Sequence, residues 1–175
     1  LFVVISPWKR LRANMDKIFS ATDIVELAIE IEKNGRMFYE KFSKKLKEKK
    51  IKEFFLYMSK EEAEHEKRFK EVLSSVMKHE PCKAYNQDYF AYLNAIAGDY
   101  IFNDAEKIRE GFASVETEKD AIDFSIGIEK DSILLYESMK NVLPDQDKVL
   151  IERIILQERE HALKLWNIRK GLFKS

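Results

Sequence analysis

The sequence predicts an all-α protein, a four-helix bundle of two antiparallel helix hairpins joined by a long crossover. Three observations carry this expectation. Five Gly and three Pro in 175 residues are about 5% of the chain against roughly 12% in average usage, too few breakers for a β-sandwich or an α/β sheet. Four long segments repeat apolar residues at alternating spacings of three and four, the period of a helix face. The links between these segments run short, long, short, and short links make antiparallel neighbours while a long one can traverse a bundle.

The elements follow in chain order. Leu1–Ile5 is apolar but short, and Lys9, Arg10 and Arg12 follow it instead of preceding it, the wrong order for a secretory signal. Because position 1 is Leu, Met15 is the expected natural start, and residues 1–14 are read as an N-terminal extension, either a mis-set start or disordered. The domain itself is read as 15–175. Helices are expected over about 22–48 and 51–79, parted only by Lys49-Lys50, and over about 118–141 and 144–171, parted by a turn at Pro144. Proline is tolerated in a first helical turn, so Pro144 marks a restart. Thr117 with Asp120 three residues on resembles a capping box with Asp in place of Glu. The crossover, 80–117, holds Pro81, Gly98 and Gly111, with a short extra helix expected at 87–97. A helix of about 27 residues is roughly 40 Å long, a distance the crossover spans easily at about 3.3 Å per residue. A stack of α-hairpin repeats would need about three units, and the chain offers two.

Composition excludes several roles. The 31 basic and 31 acidic side chains cancel, whereas a general nucleic-acid or anionic-membrane binder needs a basic excess. Cys82 stands alone, so there is neither an internal disulfide nor a Cys-x-x-Cys knuckle, in keeping with a reducing compartment. No apolar run approaches the roughly 20 residues of a membrane span. The expectation is a soluble, cytoplasmic protein with no nucleic-acid or membrane partner. High Lys and Glu with only three Gln is in keeping with a thermophilic source.

The apolar seams hold the functional signal. The first reads Val25, Ala28, Glu32, Gly35, Tyr39, Phe42, Leu46, and the second Ile51, Phe55, Met58, Glu62, His65, Phe69, Val72, Val76. The third reads Ile122, Ile126, Glu129, Ile133, Tyr136, and the fourth Ile151, Ile154, Glu158, His161, Leu165, Ile168, Leu172. Each is apolar except near its middle, where a glutamate sits, followed in two of them by a histidine three residues on. Burying one carboxylate without compensation costs several kcal/mol, and four together also repel one another. A folded bundle carries them only protonated, paired with cations or bound to metal. No Lys or Arg lies in the stripes beside them, so metal is the economical reading. Four carboxylates neutralise two divalent cations, and two imidazoles complete a nitrogen-and-oxygen set suited to iron, manganese or zinc. Residues at i and i+3 share a helix face, so Glu and His of each pair reach one site.

The chain also repeats itself. Ile31-Glu32-Lys33 followed by Tyr39-Glu40 matches Ile128-Glu129-Lys130 followed by Tyr136-Glu137, and Glu62-Ala63-Glu64-His65 matches Glu158-Arg159-Glu160-His161. Two related hairpins face to face present two similar half-sites. This pattern resembles the ferritin-like di-iron carboxylate superfamily and, within it, rubrerythrin-like proteins, over roughly residues 22–171. One Glu from each of two helices and Glu-x-x-His from each of the other two is that superfamily's ligand plan.

The resemblance implies that Glu32 and Glu129 are the single carboxylates, that Glu62 with His65 and Glu158 with His161 are the paired ligands, and that two metal ions, iron foremost, bind per chain. It also matches Tyr39 and Tyr136 to tyrosines that hydrogen-bond around the ligands, although a seam tyrosine is more often plain packing. Glu30 competes with Glu32, but its neighbours Glu26, Lys33 and Asn34 are polar, which places it on the outer face. His79, Cys82 and the Lys44–Lys52 run are read as surface features without chemistry.

Two departures from rubrerythrin proper are visible. Ser132 stands where that protein has an extra glutamate three residues after the third-helix ligand, and no Cys-rich rubredoxin tail follows. A separate electron donor, such as rubredoxin, is therefore expected. The resemblance implies a cytoplasmic homodimer that reduces peroxide or dioxygen in oxidative-stress defence. The alternatives are a protein that binds and oxidises ferrous iron, and a bundle in which metal only supports structure or partner binding. A storage cage is not expected, since few residues remain after the fourth helix for a fifth.

Overall fold

The computed structural model describes residues 21–79, 89, 92, 105–141 and 143–172. Its helices are α1 (Ala21–Ser43), α2 (Lys49–His79), α3 (Ala105–Ser114), α4 (Glu118–Met139) and α5 (Asp145–Leu172), with no strand among the described residues. α1 packs along α2 and α4 along α5, and the two hairpins meet through α1 on α4 and α2 on α5. This is the expected two-hairpin bundle. The 1–14 extension, Pro81, Cys82, Gly98 and most of 87–97 lie outside the described residues, while Tyr89 and Tyr92 are helical.

Local chemistry sets the helix boundaries. The capping box at α4 is present: Asp120 N–H donates to Thr117 Oγ1 at 3.1 Å and Thr117 N–H to Asp120 Oδ2 at 2.9 Å. The Thr117 hydroxyl, which donates to the same Oδ2 at 2.7 Å, and then the Thr117 amide hold the Asp120 carboxyl below its usual range. The Pro144 carbonyl accepts the Asp147 and Lys148 amides at 2.9 and 3.3 Å, so α5 begins where the proline restarts the chain. α1 ends earlier than its apolar pattern suggests. It stops at Ser43, and Leu46, still buried, fills the core from the turn and thereby extends the pattern past the helix.

α3 is an element that the sequence reading left within the crossover. Gly111 weakens a helix by about 1 kcal/mol relative to Ala, and what outweighs it is tertiary. Phe112 is buried, with its ring 5.4 Å from Phe38 and 5.8 Å from Phe42. Phe38 is a hub, also 4.8 Å from Phe124 and 6.2 Å from Phe55. The crossover is tied down again where the Tyr89 hydroxyl donates to the Ser138 carbonyl at 2.5 Å.

One side chain links the hairpins at a turn. Glu118 Oε1 accepts the Lys47 and Glu48 amides at 2.7 and 2.9 Å, and the Glu48 carboxylate caps α2 through the Ile51 amide at 2.8 Å. A carboxylate that accepts two amides is a charge-assisted contact. Glu118→Ala leaves both amides to water and is expected to cost about 1 kcal/mol, lowering the melting temperature by about 2–4 °C for a domain of this size. Glu118→Gln keeps the acceptor and should recover most of that in a thermal melt.

Candidate metal centre

Each long helix brings its mid-seam polar residue to the same depth of the bundle. α1 supplies Glu32, α2 Glu62 and His65, α4 Glu129, and α5 Glu158 and His161, and all six are buried. Their donor atoms form two groups, each with all donors within 4.8 Å of one another: Glu32, Glu62, His65 and Glu158, and Glu62, Glu129, Glu158 and His161. All six residues singled out from the sequence are thus brought together. Glu62 and Glu158 are common to both groups, so the Glu-x-x-His glutamates are placed to bridge, while Glu32 and Glu129 stand at the ends. Glu30 lies outside this centre, paired with Lys33 on the half-exposed face of α1.

The family model described as Rubrerythrin matches residues 23–116, more than half of the chain and inclusive of Glu32, Glu62 and His65. The chain belongs to the rubrerythrin family. A Thermotoga maritima crystal structure described as a ferritin-like diiron-carboxylate protein superposes with a TM-score of 0.61 at 25% identity, over 87% of this chain and 95% of that one. No curated protein sequence matches.

The tyrosines expected around the ligands bond crosswise. The Tyr39 hydroxyl, on α1, donates to Glu129 Oε1 on α4, and the Tyr136 hydroxyl, on α4, donates to Glu32 Oε1 on α1 at 2.5 Å. Each tyrosine lies seven residues beyond the glutamate of its own helix and reaches that of the other, the register of antiparallel neighbours. Spacing alone shows the tyrosines, and only the packed bundle shows the exchange. Burial first, then the Glu129 and Glu62 charges, push the Tyr39 phenol well above its usual range, so it remains a donor.

Two further contacts were not legible in the seams. A Cβ on Gly35 would lie 3.5 Å from Glu62 Cδ, ordinary van der Waals contact. Glu61, one residue before Glu62, places Oε2 3.9 Å from His161 Nε2. Ser132, three residues after Glu129, is buried and carries no carboxylate.

The electrostatics show what a rubrerythrin-type centre demands of this core. Burial, and then the charges of the neighbouring carboxylates, push Glu62 and Glu158 well above the usual carboxyl range. Glu32 and Glu129 lie lower than usual because hydrogen bonds from Glu62 and Glu158, with the histidine and tyrosine contacts, outweigh their burial. Burial also opposes the charged form of His65, yet Glu158 and Glu32 raise it well above its ordinary value.

The residues fit a pair of metal ions. Glu129 Oε2, Glu158 Oε1 and both His65 nitrogens are buried without a hydrogen bond. His65 Nδ1 is only 2.7 Å from Glu158 Oε1, but the approach is not aligned as a ring N–H donor requires. His161 Nδ1 lies 3.2 Å from Glu158 Oε2 and 3.7 Å from Glu129 Oε2. Unsatisfied oxygen and nitrogen donors of this kind, with four potential negative charges, suit two divalent first-row cations.

The sign of the pH dependence follows. Glu62, Glu158 and His65 bind protons more tightly folded than unfolded, so metal-free folding takes up protons. Their contribution is complete below the unfolded values, 4.5 for the carboxyls and 6.5 for His65, and is lost as pH rises through the raised folded values. Glu32 and Glu129 act oppositely and only as pH falls through their lowered values. The metal-free melting temperature should therefore begin to fall as pH rises above 4.5 and fall more steeply above 6.5. Metal binding needs deprotonated ligands, so metal-loaded protein should lose that decline. Melting curves with chelator and with added metal check both.

Proposed function

We propose that this chain is a non-haem di-iron oxidoreductase that reduces peroxide or dioxygen in oxidative-stress defence. It acts as a cytoplasmic homodimer and draws electrons from a separate donor protein such as rubredoxin. The observation that carries the reading is that Glu62 and Glu158 belong to both donor groups, an arrangement that holds two ions as a coupled pair. Glu32, Glu62, His65, Glu129, Glu158 and His161 would hold two ferrous ions, which would make two electrons available together to an O–O bond without release of a radical.

The chain's own side chains do the rest. Glu32 and Glu129 offer oxygens that can bind through one or both atoms as charge changes. Tyr136 and Tyr39 hold those end carboxylates by donated hydrogen bonds, and outer contacts of this kind tune metal ligands. Phe55, 5.2 Å from the Tyr39 ring, and Phe69, 4.8 Å from the Tyr136 ring, keep water from either flank. Val149, Leu156 and Leu163 are exposed one heptad apart along α5, in keeping with pairing of two chains. No helix among the described residues is long and apolar enough to cross a membrane.

A second reading, ferrous-iron binding and oxidation, is favoured by Ser132, because that position adds no further carboxylate to the centre. Stopped-flow absorbance separates the two. Protein loaded anaerobically with two ferrous ions per chain should oxidise much faster with peroxide than with dioxygen, and should turn over repeatedly with a donor. Faster oxidation by dioxygen with accumulation of ferric iron would favour iron handling instead. Glu62→Ala with Glu158→Ala should lower metal affinity and peroxide turnover by more than about 100-fold, beyond the usual cost of losing an outer contact. Unchanged turnover after loss of metal would defeat the enzymatic reading.

A further inference from the structure

We infer that the two metal positions are unequal, and that Glu61 makes the position held by His161 the tighter one, so that it fills first. The inference rests on the two-metal reading above and concerns a residue outside the six ligands. The two Glu-x-x-His motifs share both ligands and the glutamate between them, and differ in the residue before each: Glu61 precedes Glu62, and Gln157 precedes Glu158. α2 and α5 run side by side, and each of these residues lies beside the facing helix.

The consequences diverge at the histidines. Glu61 Oε2 faces His161 Nε2 at 3.9 Å, with Glu61 about one quarter exposed and His161 buried. His161 Nδ1 points the other way, toward Glu158 and Glu129. The ring thus has a carboxylate behind it and the donor group in front. The Tyr57 ring stands edge-on to His161 at 6.0 Å, which confines its rotation. Among the described residues His65 meets carboxylates only through Nδ1, and no carboxylate stands behind its buried Nε2.

Gln157 does not supply the missing partner, because its amide is already committed. Its Oε1 accepts from Arg68 at 2.5 Å, and its Nε2 donates to Glu61 Oε2 at 3.2 Å. Arg68 orients Gln157, and Gln157 steadies the same Glu61 oxygen that faces His161. The matched residues of both repeats therefore converge on one histidine. At 3.9 Å the Glu61 contact is a charge interaction and not a hydrogen bond. A carboxylate charge behind a ligating imidazole favours the tautomer with its N–H on that side and strengthens the other nitrogen as a donor. Only the group of Glu62, Glu129, Glu158 and His161 gains this. Glu61 is a positioning residue, acting through His161.

Anaerobic titration of the full chain with cobalt(II), followed by its ligand-field absorbance and by calorimetry, tests this. The wild-type chain should bind two ions in two resolved steps. Glu61→Gln keeps the shape and removes the charge, and should weaken the tighter step by about 10–100-fold while leaving the weaker step in place. Glu61→Asp should restore part of the loss. His161→Ala should abolish the tighter step and His65→Ala the weaker, an assignment that stands even if Glu61→Gln fails to fold. Two equal steps in the wild type, or loss of the tighter step in His65→Ala, would overturn this inference while leaving the two-metal reading intact. Absence of any cobalt binding to the wild-type chain would overturn both.

Discussion

Four carboxylates buried at one level of an apolar bundle are the constraint on which the rest of this structure depends. Each is too costly to hold in a dry core alone, and together they repel one another. Every notable side chain nearby answers that cost. Two histidines bring ring nitrogens to the carboxylates, and two tyrosines donate to the end carboxylates. The helices above and below are conventional by comparison, with Val25, Ile51, Phe55, Ile122 and Ile151 packing as the periodicity requires.

The same constraint explains why the site was legible from sequence. A glutamate in an apolar stripe conflicts with its own helix face, and four such conflicts in two matched repeats leave few chemical solutions. Glu32, Glu62, His65, Glu129, Glu158 and His161 could be named for that reason, and the bundle places all six together. Less legible were features that depend on how helices register against one another. The crossed tyrosine bonds, the sharing of Glu62 and Glu158, and the approach of Glu61 to His161 are distances between elements far apart in sequence, and no single helix encodes them.

The misread elements have a similar cause. Leu46 continued the apolar spacing of the first helix but occupies the core from a turn. α3 lay hidden because Gly111 weakens its helical signal, whereas Phe112 docks on an aromatic hub assembled from α1, α2 and α4. In both cases tertiary burial overrode the local pattern.

The division of donors between hairpins reaches beyond coordination. One group draws Glu32, Glu62 and His65 from the first hairpin and Glu158 from the second, and the other draws Glu129, Glu158 and His161 from the second and Glu62 from the first. Neither hairpin completes a group by itself. The centre is therefore also the seam along which the two repeats join, and an ion entering it reports that both halves have docked in register. In a chain built from two related hairpins, docking of the halves is the step that completes both donor groups.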